Sequence, residues 1–265
     1  MTRGDRRPRW PARAALRTAD LHLGERLAAA TAAFVVASVP AGVLIALIEA
    51  EWRPLREFDS GAAERLHTVV LQHPGLLQVL DVLSNGVWDP VTMRLAVAAA
   101  VLWLLWRRAW RLAAWSAATE AAAAAVGLAT KTAVARVRPH LDAPVAHAPG
   151  FSFPSGHTLT ATVSCGILLL VTAPLVPRRL RPAVWGAAAV SVFGVGFTRV
   201  ALGVHWASDV IGGWLIGAAL VGATAWAFGA WRRELGLGVP AAVDGLEPEL
   251  AAPRSDAPTH SRTGH

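Results

Sequence analysis

The chain has 265 residues, enough for one large domain or two small ones. Hydrophobic residues make up 54% of it and charged residues only 16%, and the apolar residues lie in long blocks, which excludes an ordinary soluble domain. The net charge of +7 comes from arginines at the ends of those blocks, a pattern that indicates membrane topology and argues against nucleic acid as a partner. The single cysteine, Cys165, excludes a disulfide framework and a multi-cysteine metal site.

Six apolar segments are predicted to cross the membrane, since a span takes roughly 20 residues. They are residues 27–48, with a kink at Pro40, and then 91–106, 113–130, 158–176, 183–197 and 210–231. The sequence therefore predicts an all-α fold, a bundle of six transmembrane helices over residues 27–231. Residues 1–26 are expected to form a basic cytoplasmic tail, and residues 232–265, rich in alanine, proline and glycine, a disordered cytoplasmic one. Between the first two spans, residues 49–89 predict two short helices on the membrane surface.

Arginine clusters predict the orientation of these spans. They occur in the N-terminal tail and at residues 107–111, 178–181 and 232–233. If six helices alternate in direction, all four clusters fall on one side, which the positive-inside rule makes the cytoplasm. We therefore expect a multi-pass cell-membrane protein with both termini cytoplasmic. The segments after the third span, before the fourth and between the fifth and sixth then face outward.

The polar stretch from Phe151 to Thr158 interrupts the apolar pattern just before the fourth span. Ser155 is a good N-cap, and Gly156 and His157 then lie in the first turn of the helix. A helix start presents unpaired N–H groups and a partial positive charge, so it favours an anion. This stretch predicts one part of a phosphate site.

Two further polar groups fall on the same outward side. The only lysine of the chain, Lys131, ends the third span, and Arg138 follows seven residues later, on the same face if the helix continues to Pro139. Between the fifth and sixth spans lie Arg199, His205 and Asp209. The last two are four residues apart, which on a helix puts a carboxylate beside an imidazole and leaves one ring nitrogen free to attack.

Together these motifs resemble the three-part signature of the type 2 phosphatidic acid phosphatases, or lipid phosphate phosphatases, whose site pattern is shared with vanadium haloperoxidases. The matching motifs are Lys131-x6-Arg138-Pro139, Pro154-Ser155-Gly156-His157 and Thr198-Arg199-x5-His205-x3-Asp209. The resemblance covers about residues 27–231. The family more often has serine where this chain has Thr198, and both residues carry a hydroxyl.

The resemblance implies a site at the outer ends of helices three to six and a role for each residue in it. His205 would be the nucleophile that forms a phosphohistidine, Asp209 would orient it, and His157 would be the general acid. The phosphoryl oxygens would be bound by Lys131, Arg138, Ser155, Gly156 and Arg199. Because these cations can do the work of a magnesium ion and the sequence has no carboxylate cluster with metal spacing, we expect no metal and no other cofactor.

The implied activity is hydrolysis of a lipid phosphate or diphosphate, such as undecaprenyl diphosphate, phosphatidic acid or phosphatidylglycerophosphate. Two alternatives stay open on the sequence: a vanadate-dependent haloperoxidase, and a polytopic transporter or scaffold without catalysis. The first is disfavoured by the membrane spans, and the second by the concentration of polar residues at one membrane face. Glu120 lies too deep in the third span to reach the phosphate, and a structural partner such as Arg94 is expected for it.

Overall fold

A computed structural model describes residues 23–234 and 244–247, and the elements of this part of the chain are helical. Nine α-helices follow in order: α1 (Leu23–Ala37), α2 (Val39–Glu49), α3 (Arg53–Gln72), α4 (Pro74–Val82), α5 (Pro90–Trp106), α6 (Trp110–Val134), α7 (Gly156–Thr172), α8 (Arg181–Ala201) and α9 (Ala207–Glu234). A π-helical turn, Leu83–Val87, follows α4, and a 3-10 turn, Arg178–Leu180, precedes α8. The predicted all-α class is confirmed.

Among the described residues, four helical segments are long and apolar enough to cross a membrane: residues 74–106, 110–134, 178–201 and 207–233. The first predicted span is a pair of helices, α1 and α2, bent by 50° at a break beside Pro40, and it makes a fifth segment if the pair is one span. The fourth predicted span is α7, which is apolar but has only 17 residues. The count of six spans therefore stays a prediction.

The segment between the first two predicted spans does contain two helices, α3 and α4, which meet at Pro74. Proline fits here because the first turn of a helix needs no donor from its backbone nitrogen. The next helix, α5, begins at Pro90 for the same reason, with Asp89 as its N-cap accepting a hydrogen bond from the Val91 N–H at 2.8 Å.

The longest helix, α9, is the centre of the bundle and packs against α1, α2, α3, α6, α7 and α8. Its contact with α7 depends on small residues: a Cβ atom at Gly217 would lie 2.9 Å from the Cβ of Thr162, and one at Gly212 would lie 2.3 Å from the ring of Phe153. This close approach brings the start of α9 against the start of α7. Large apolar side chains on α1, α2, α5 and α8 point away from the core and are exposed, as lipid contact requires.

Two expectations about segment ends need correction. The condition for Lys131 and Arg138 to share a helical face is not met, because α6 ends at Val134 and Ala135 adopts a left-handed backbone with φ 47°. At the other end of the domain, α9 runs to Glu234, and residues 244–247 pack on the bundle, with Leu246 buried and its N–H bonded to the Leu170 carbonyl at 3.2 Å. Disorder from residue 232 onward therefore does not hold for these residues. Residues 1–22, most of the expected basic tail, lie outside the described part.

Candidate active site

The three polar motifs meet at one end of the bundle. The loop after α6 carries Arg138, the first turn of α7 carries His157, and the turn between α8 and α9 carries His205. The Ser155 N–H donates a hydrogen bond to the Asp209 carbonyl at 3.0 Å, which ties the start of α7 to the start of α9. The structure thus brings together residues that are up to 78 positions apart, from Lys131 to Asp209.

Ser155 is the N-cap of α7, as its position in the sequence predicts. Its Oγ accepts hydrogen bonds from the Thr158 hydroxyl at 3.0 Å and from the Thr158 N–H at 3.5 Å. His157 follows in the first turn, and its Nε2 is buried without a hydrogen-bond partner. A buried polar atom without a partner is costly, so this nitrogen lies where a ligand could satisfy it.

His205 is buried between a carboxylate and a guanidinium. Its Nδ1 lies 3.4 Å from Oδ2 of Asp209, and its Nε2 lies 3.1 Å from Nη1 of Arg138. A guanidinium only donates, so Nε2 must be the accepting nitrogen, and Nδ1 carries the proton that faces Asp209. The predicted pairing of His205 and Asp209 is confirmed, but not its helical premise, because α9 begins at Ala207 and His205 lies in the turn before it.

The burial of His205 sets its charge. Loss of hydration lowers the pKa of His205 to about 4, although the neighbouring Asp209 carboxylate acts in the opposite direction. The imidazole is therefore neutral at pH 7, with a lone pair on Nε2. A neutral imidazole with its other nitrogen held by a carboxylate is the form that a nucleophilic histidine needs.

The three predicted cations lie around the two histidines of the site and are held by backbone carbonyls and a hydroxyl. Lys131 Nζ donates to the Phe151 carbonyl at 2.8 Å. The Arg138 guanidinium donates to the carbonyls of Val204 at 2.6 Å and of Pro149, Gly150 and Phe151 at 2.9–3.2 Å. Burial lowers the pKa of Arg138. Arg199 donates through Nη1 to the Ser84 hydroxyl at 2.8 Å, while its Nε is buried without a hydrogen-bond partner.

Several residues of the site have no counterpart in the sequence prediction: Asp59, Ser84, Arg136, Ser152 and Ser208. Arg136 lies inside the Lys131-x6-Arg138 motif, where a second basic residue was a signal that could have been used. Ser152 lies in the polar stretch before Pro154, and its hydroxyl donates a short hydrogen bond to Oδ2 of Asp209. Asp59 and Ser84 come from the segment interpreted as surface helices, where nothing in the sequence distinguishes them from solvated polar residues.

Glu120 has the partner that the sequence predicts for it. Its Oε1 lies 3.5 Å from Nε of Arg94, and its Oε2 accepts a hydrogen bond from the Ser164 hydroxyl at 3.2 Å. Within the described ranges there is no group of three His, Cys, Asp or Glu side chains that could hold a metal ion. A cavity of about 590 Å³ adjoins Arg136 and Trp206, on the side of Arg136 that faces α2 and α3.

Two curated proteins are similar in sequence to this chain. Phosphatidylglycerophosphatase B from Bacillus subtilis is 37% identical over 86 residues, which are 32% of this chain and 42% of that protein. Undecaprenyl-diphosphatase from Sulfolobus acidocaldarius is 30% identical over 138 residues, 49% of this chain and 58% of that protein. The matched segments thus span about half the length of these two relatives.

The fold is also that of a solved structure, a transmembrane PAP2-type phosphatidylglycerolphosphate phosphatase from Bacillus subtilis. It superimposes with a TM-score of 0.64 at 22% identity, over 72% of this chain and 93% of that one. The family model of the PAP2 superfamily matches residues 112–233, a range that holds all eight predicted site residues. The resemblance expected from the motifs is therefore confirmed: this multi-pass membrane chain is similar to the PAP2 superfamily over residues 112–233 and has the fold of a transmembrane PAP2-type structure.

Proposed function

We propose that the protein hydrolyses the phosphate ester or diphosphate of a membrane lipid through a phosphohistidine on His205. One observation carries this proposal: a buried, neutral His205 has its Nδ1 proton directed to Asp209 and its Nε2 lone pair directed to the guanidinium of Arg138. A phosphoryl group that takes the place of this contact would meet the nucleophile and a cation at the same point.

In the first step, Nε2 of His205 attacks phosphorus and the bond from phosphorus to the lipid oxygen breaks. His157 gives a proton to that departing oxygen, and Asp209 stabilises the positive charge that develops on the imidazole. In the second step, a water molecule attacks phosphorus, His157 takes a proton from it, and the N–P bond breaks. The products are the dephosphorylated lipid and phosphate, or a lipid monophosphate where the substrate is a diphosphate.

The phosphoryl oxygens would be bound by Lys131, Arg138 and Arg199 together with Ser155 and the Gly156 N–H. These groups start from different states: Lys131 and Arg138 donate to carbonyls, whereas Nε of Arg199 is free of a hydrogen bond. Binding therefore requires the phosphate to replace carbonyl oxygens with its own, stronger acceptors. His157 can act as an acid only with the phosphate bound, because the dianion offsets the surrounding positive charge. Since the fixed cations can neutralise the transition state, we propose that turnover needs no divalent metal.

A phosphate-release assay on the purified protein tests the proposal. The substrates are undecaprenyl diphosphate, phosphatidic acid and phosphatidylglycerophosphate, each with and without EDTA. We expect release from at least one of them at an unchanged rate in EDTA, inhibition by vanadate, and no release by His205→Ala. Release that EDTA abolishes and Mg²⁺ restores would refute metal independence. No release by the wild-type protein from any lipid phosphate would refute the function.

A further inference from the structure

Asp59, on α3, is a buried carboxylate far from the predicted motifs in sequence. It is 1% exposed, and its side-chain hydrogen bonds lead to the start of α9 and the loop after α6. Its Oδ1 accepts from the Ser208 N–H at 2.8 Å, and its Oδ2 accepts from the Ser208 hydroxyl at 2.6 Å and from Nη2 of Arg136 at 2.7 Å. A buried carboxylate is retained at such cost only with full hydrogen bonding, and here it has three donors.

Arg136 connects this carboxylate to the catalytic one. Its Nη1 donates to Oδ1 of Asp209 at 2.7 Å and to the Ser208 hydroxyl at 2.6 Å, and its guanidinium lies 5.7 Å from the ring centre of Trp206. Ser208 and Asp209 are neighbours in the chain, so these hydrogen bonds join Asp59, Arg136, Ser208 and Asp209 in a closed ring. Asp209 keeps its other oxygen, Oδ2, for Ser152, the Trp206 N–H and His205.

The charges of this ring fit the step that His205 would perform. Two buried carboxylates share one guanidinium, so the ring carries one net negative charge beside a neutral imidazole. When Nε2 bonds to phosphorus, the imidazole becomes cationic and the pair becomes balanced. If Asp59 were neutral, Arg136 would cancel the charge of Asp209. If Arg136 were absent, two carboxylates would face each other in a buried site, and one of them would take up a proton.

We propose that Asp59 and Arg136 are positioning residues: Arg136 fixes the Asp209 carboxylate, and Asp59 offsets the guanidinium so that Asp209 keeps its negative charge for His205. The catalytic part of this inference rests on the proposed function. The effect of the ring on the tautomer of His205 can be measured without turnover.

Three variants separate positioning from packing. Arg136→Met and Asp59→Asn should each lower kcat about 10- to 100-fold with KM within about threefold of the wild type, the usual loss for a residue that orients a functional ligand. The double variant Arg136→Met/Asp59→Asn should be more active than Arg136→Met alone, because removing the second carboxylate lets Asp209 stay ionised. If the pair were merely structural, the double variant would lose at least as much kcat as Arg136→Met alone.

The matched control is the ion pair of Arg53 and Glu57 on the same helix. It joins Nε to Oε1 at 2.7 Å, but both side chains are more than half exposed. Glu57→Gln and Arg53→Met remove one negative and one positive charge, as the test variants do, and should leave kcat unchanged.

The second readout is the tautomer of His205 at pH 7, followed by ¹⁵N NMR of histidine-labelled protein in detergent and assigned by loss of the signal in His205→Ala. The wild type and Glu57→Gln should hold the proton on Nδ1, whereas Arg136→Met should populate both tautomers and the double variant should recover the first. If Arg136→Met does not fold, Asp59→Asn carries the test, and a kcat equal to that of the wild type in Asp59→Asn would then overturn the inference. A wild-type tautomer in Arg136→Met, or a double variant no better than Arg136→Met, would overturn the inference. If the wild-type protein releases no phosphate, only the proposed function is refuted. The tautomer of His205 in the variants then tests whether the ring positions Asp209.

Discussion

At the scale of single residues, the site combines two opposite effects on His205. Burial favours the neutral imidazole, and the Asp209 carboxylate favours the protonated one, with burial dominant. The result is a nucleophile that is available at neutral pH and also a partner that can stabilise its charge once it has reacted. The same balance lowers the free energy of unfolding in acid, because His205 binds a proton in the unfolded chain and remains neutral in the folded one.

This difference in protonation predicts a dependence of stability on pH. The pKa of His205 is about 4 in the folded protein, whereas an unfolded histidine titrates near 6.5. Between these values the unfolded state binds more protons, so the free energy of unfolding falls as the pH is lowered from about 6.5 to about 4 and is unaffected by this group below that. For His205 the loss between pH 7 and pH 4.5 should be about 2 kcal/mol.

Unfolding in detergent at the two pH values measures this loss. His205→Asn should lose about 2 kcal/mol less than the wild type on acidification, whatever its stability at pH 7. An equal loss in both proteins would show that the folded site accepts a proton on His205 as readily as the unfolded chain does.

The two histidines of the site should respond differently to the leaving group. If His205 attacks phosphorus, His205→Ala should abolish phosphoenzyme formation on every substrate. His157→Ala should lower kcat/KM by roughly 10²- to 10⁴-fold on a lipid phosphate, whose alkoxide needs a proton, and much less on nitrophenyl phosphate, whose leaving group does not. Asp209→Asn should resemble a milder His205 defect on both substrates. Selective rescue of His205→Ala, and not of His157→Ala, by nitrophenyl phosphate would reverse the two roles.

The predicted residues are those that a short motif can carry, and the missed ones act across the fold. Lys131, His157 and Asp209 lie next to helix ends and turns that the sequence marks with proline, glycine or a change in hydropathy. Asp59 looks like any polar residue of an amphipathic helix, and only the packing of α3 on α9 removes it from water. Its partner Ser208 lies 149 positions further along the chain, a separation that local patterns do not encode.

At the scale of elements, the end of α6 shows why local propensity failed. Residues 131–138 contain good helix formers, and Lys131 and Arg138 would share a face if the helix continued to Pro139. Instead the chain leaves the helix at Ala135, and the extended segment directs Arg136 to two carboxylates and Arg138 to four carbonyls and His205. The hydrogen bonds and ion pairs of two partly buried guanidiniums outweigh the small preference for another helical turn.

The close packing of α9 against the start of α7 should contribute both to the stability of the protein and to kcat. An added Cβ at Gly212 would lie 2.3 Å from the ring of Phe153, which is fully buried between Ser152 and Pro154 and cannot move without them. Gly212→Ala should therefore destabilise the protein by about 1–3 kcal/mol, as overpacking does, and lower kcat through Ser152 and Ser155.

Gly222→Ala is the matched control on the same helix. Nothing lies within 4 Å of its added Cβ, so the variant should be neutral or slightly stabilising, because alanine favours a helix over glycine. Thermal unfolding and kcat of the two variants test the difference. Equal behaviour of both would mean that the approach of α7 to α9 is loose enough to accept a methyl group.

At the scale of the whole molecule, composition predicted the class and most of the membrane segments. Long apolar blocks identify helices that can lie in lipid. In the described part of the chain, four helical segments have the length and composition of a membrane span. Pro40 predicted a kink in the first span, and α1 and α2 meet beside it at 50°. The shortness of α7 was not predicted, because it depends on how the neighbouring helices pack.

The orientation of the molecule in the membrane is the last prediction. His147 lies in the loop before α7, and Arg179 lies in the turn after it, so the two exposed side chains flank a helix of 17 residues, about 25 Å long at 1.5 Å per residue. The arginine clusters predict that Arg179 faces the cytoplasm and His147 the outside. In a Cys165→Ser background, His147→Cys should react with a membrane-impermeant thiol reagent in intact cells, and Arg179→Cys should react only after the cells are lysed. Labelling of the second variant but not the first in intact cells would place the phosphate site on the cytoplasmic side, where it would meet a different leaflet of lipid substrates.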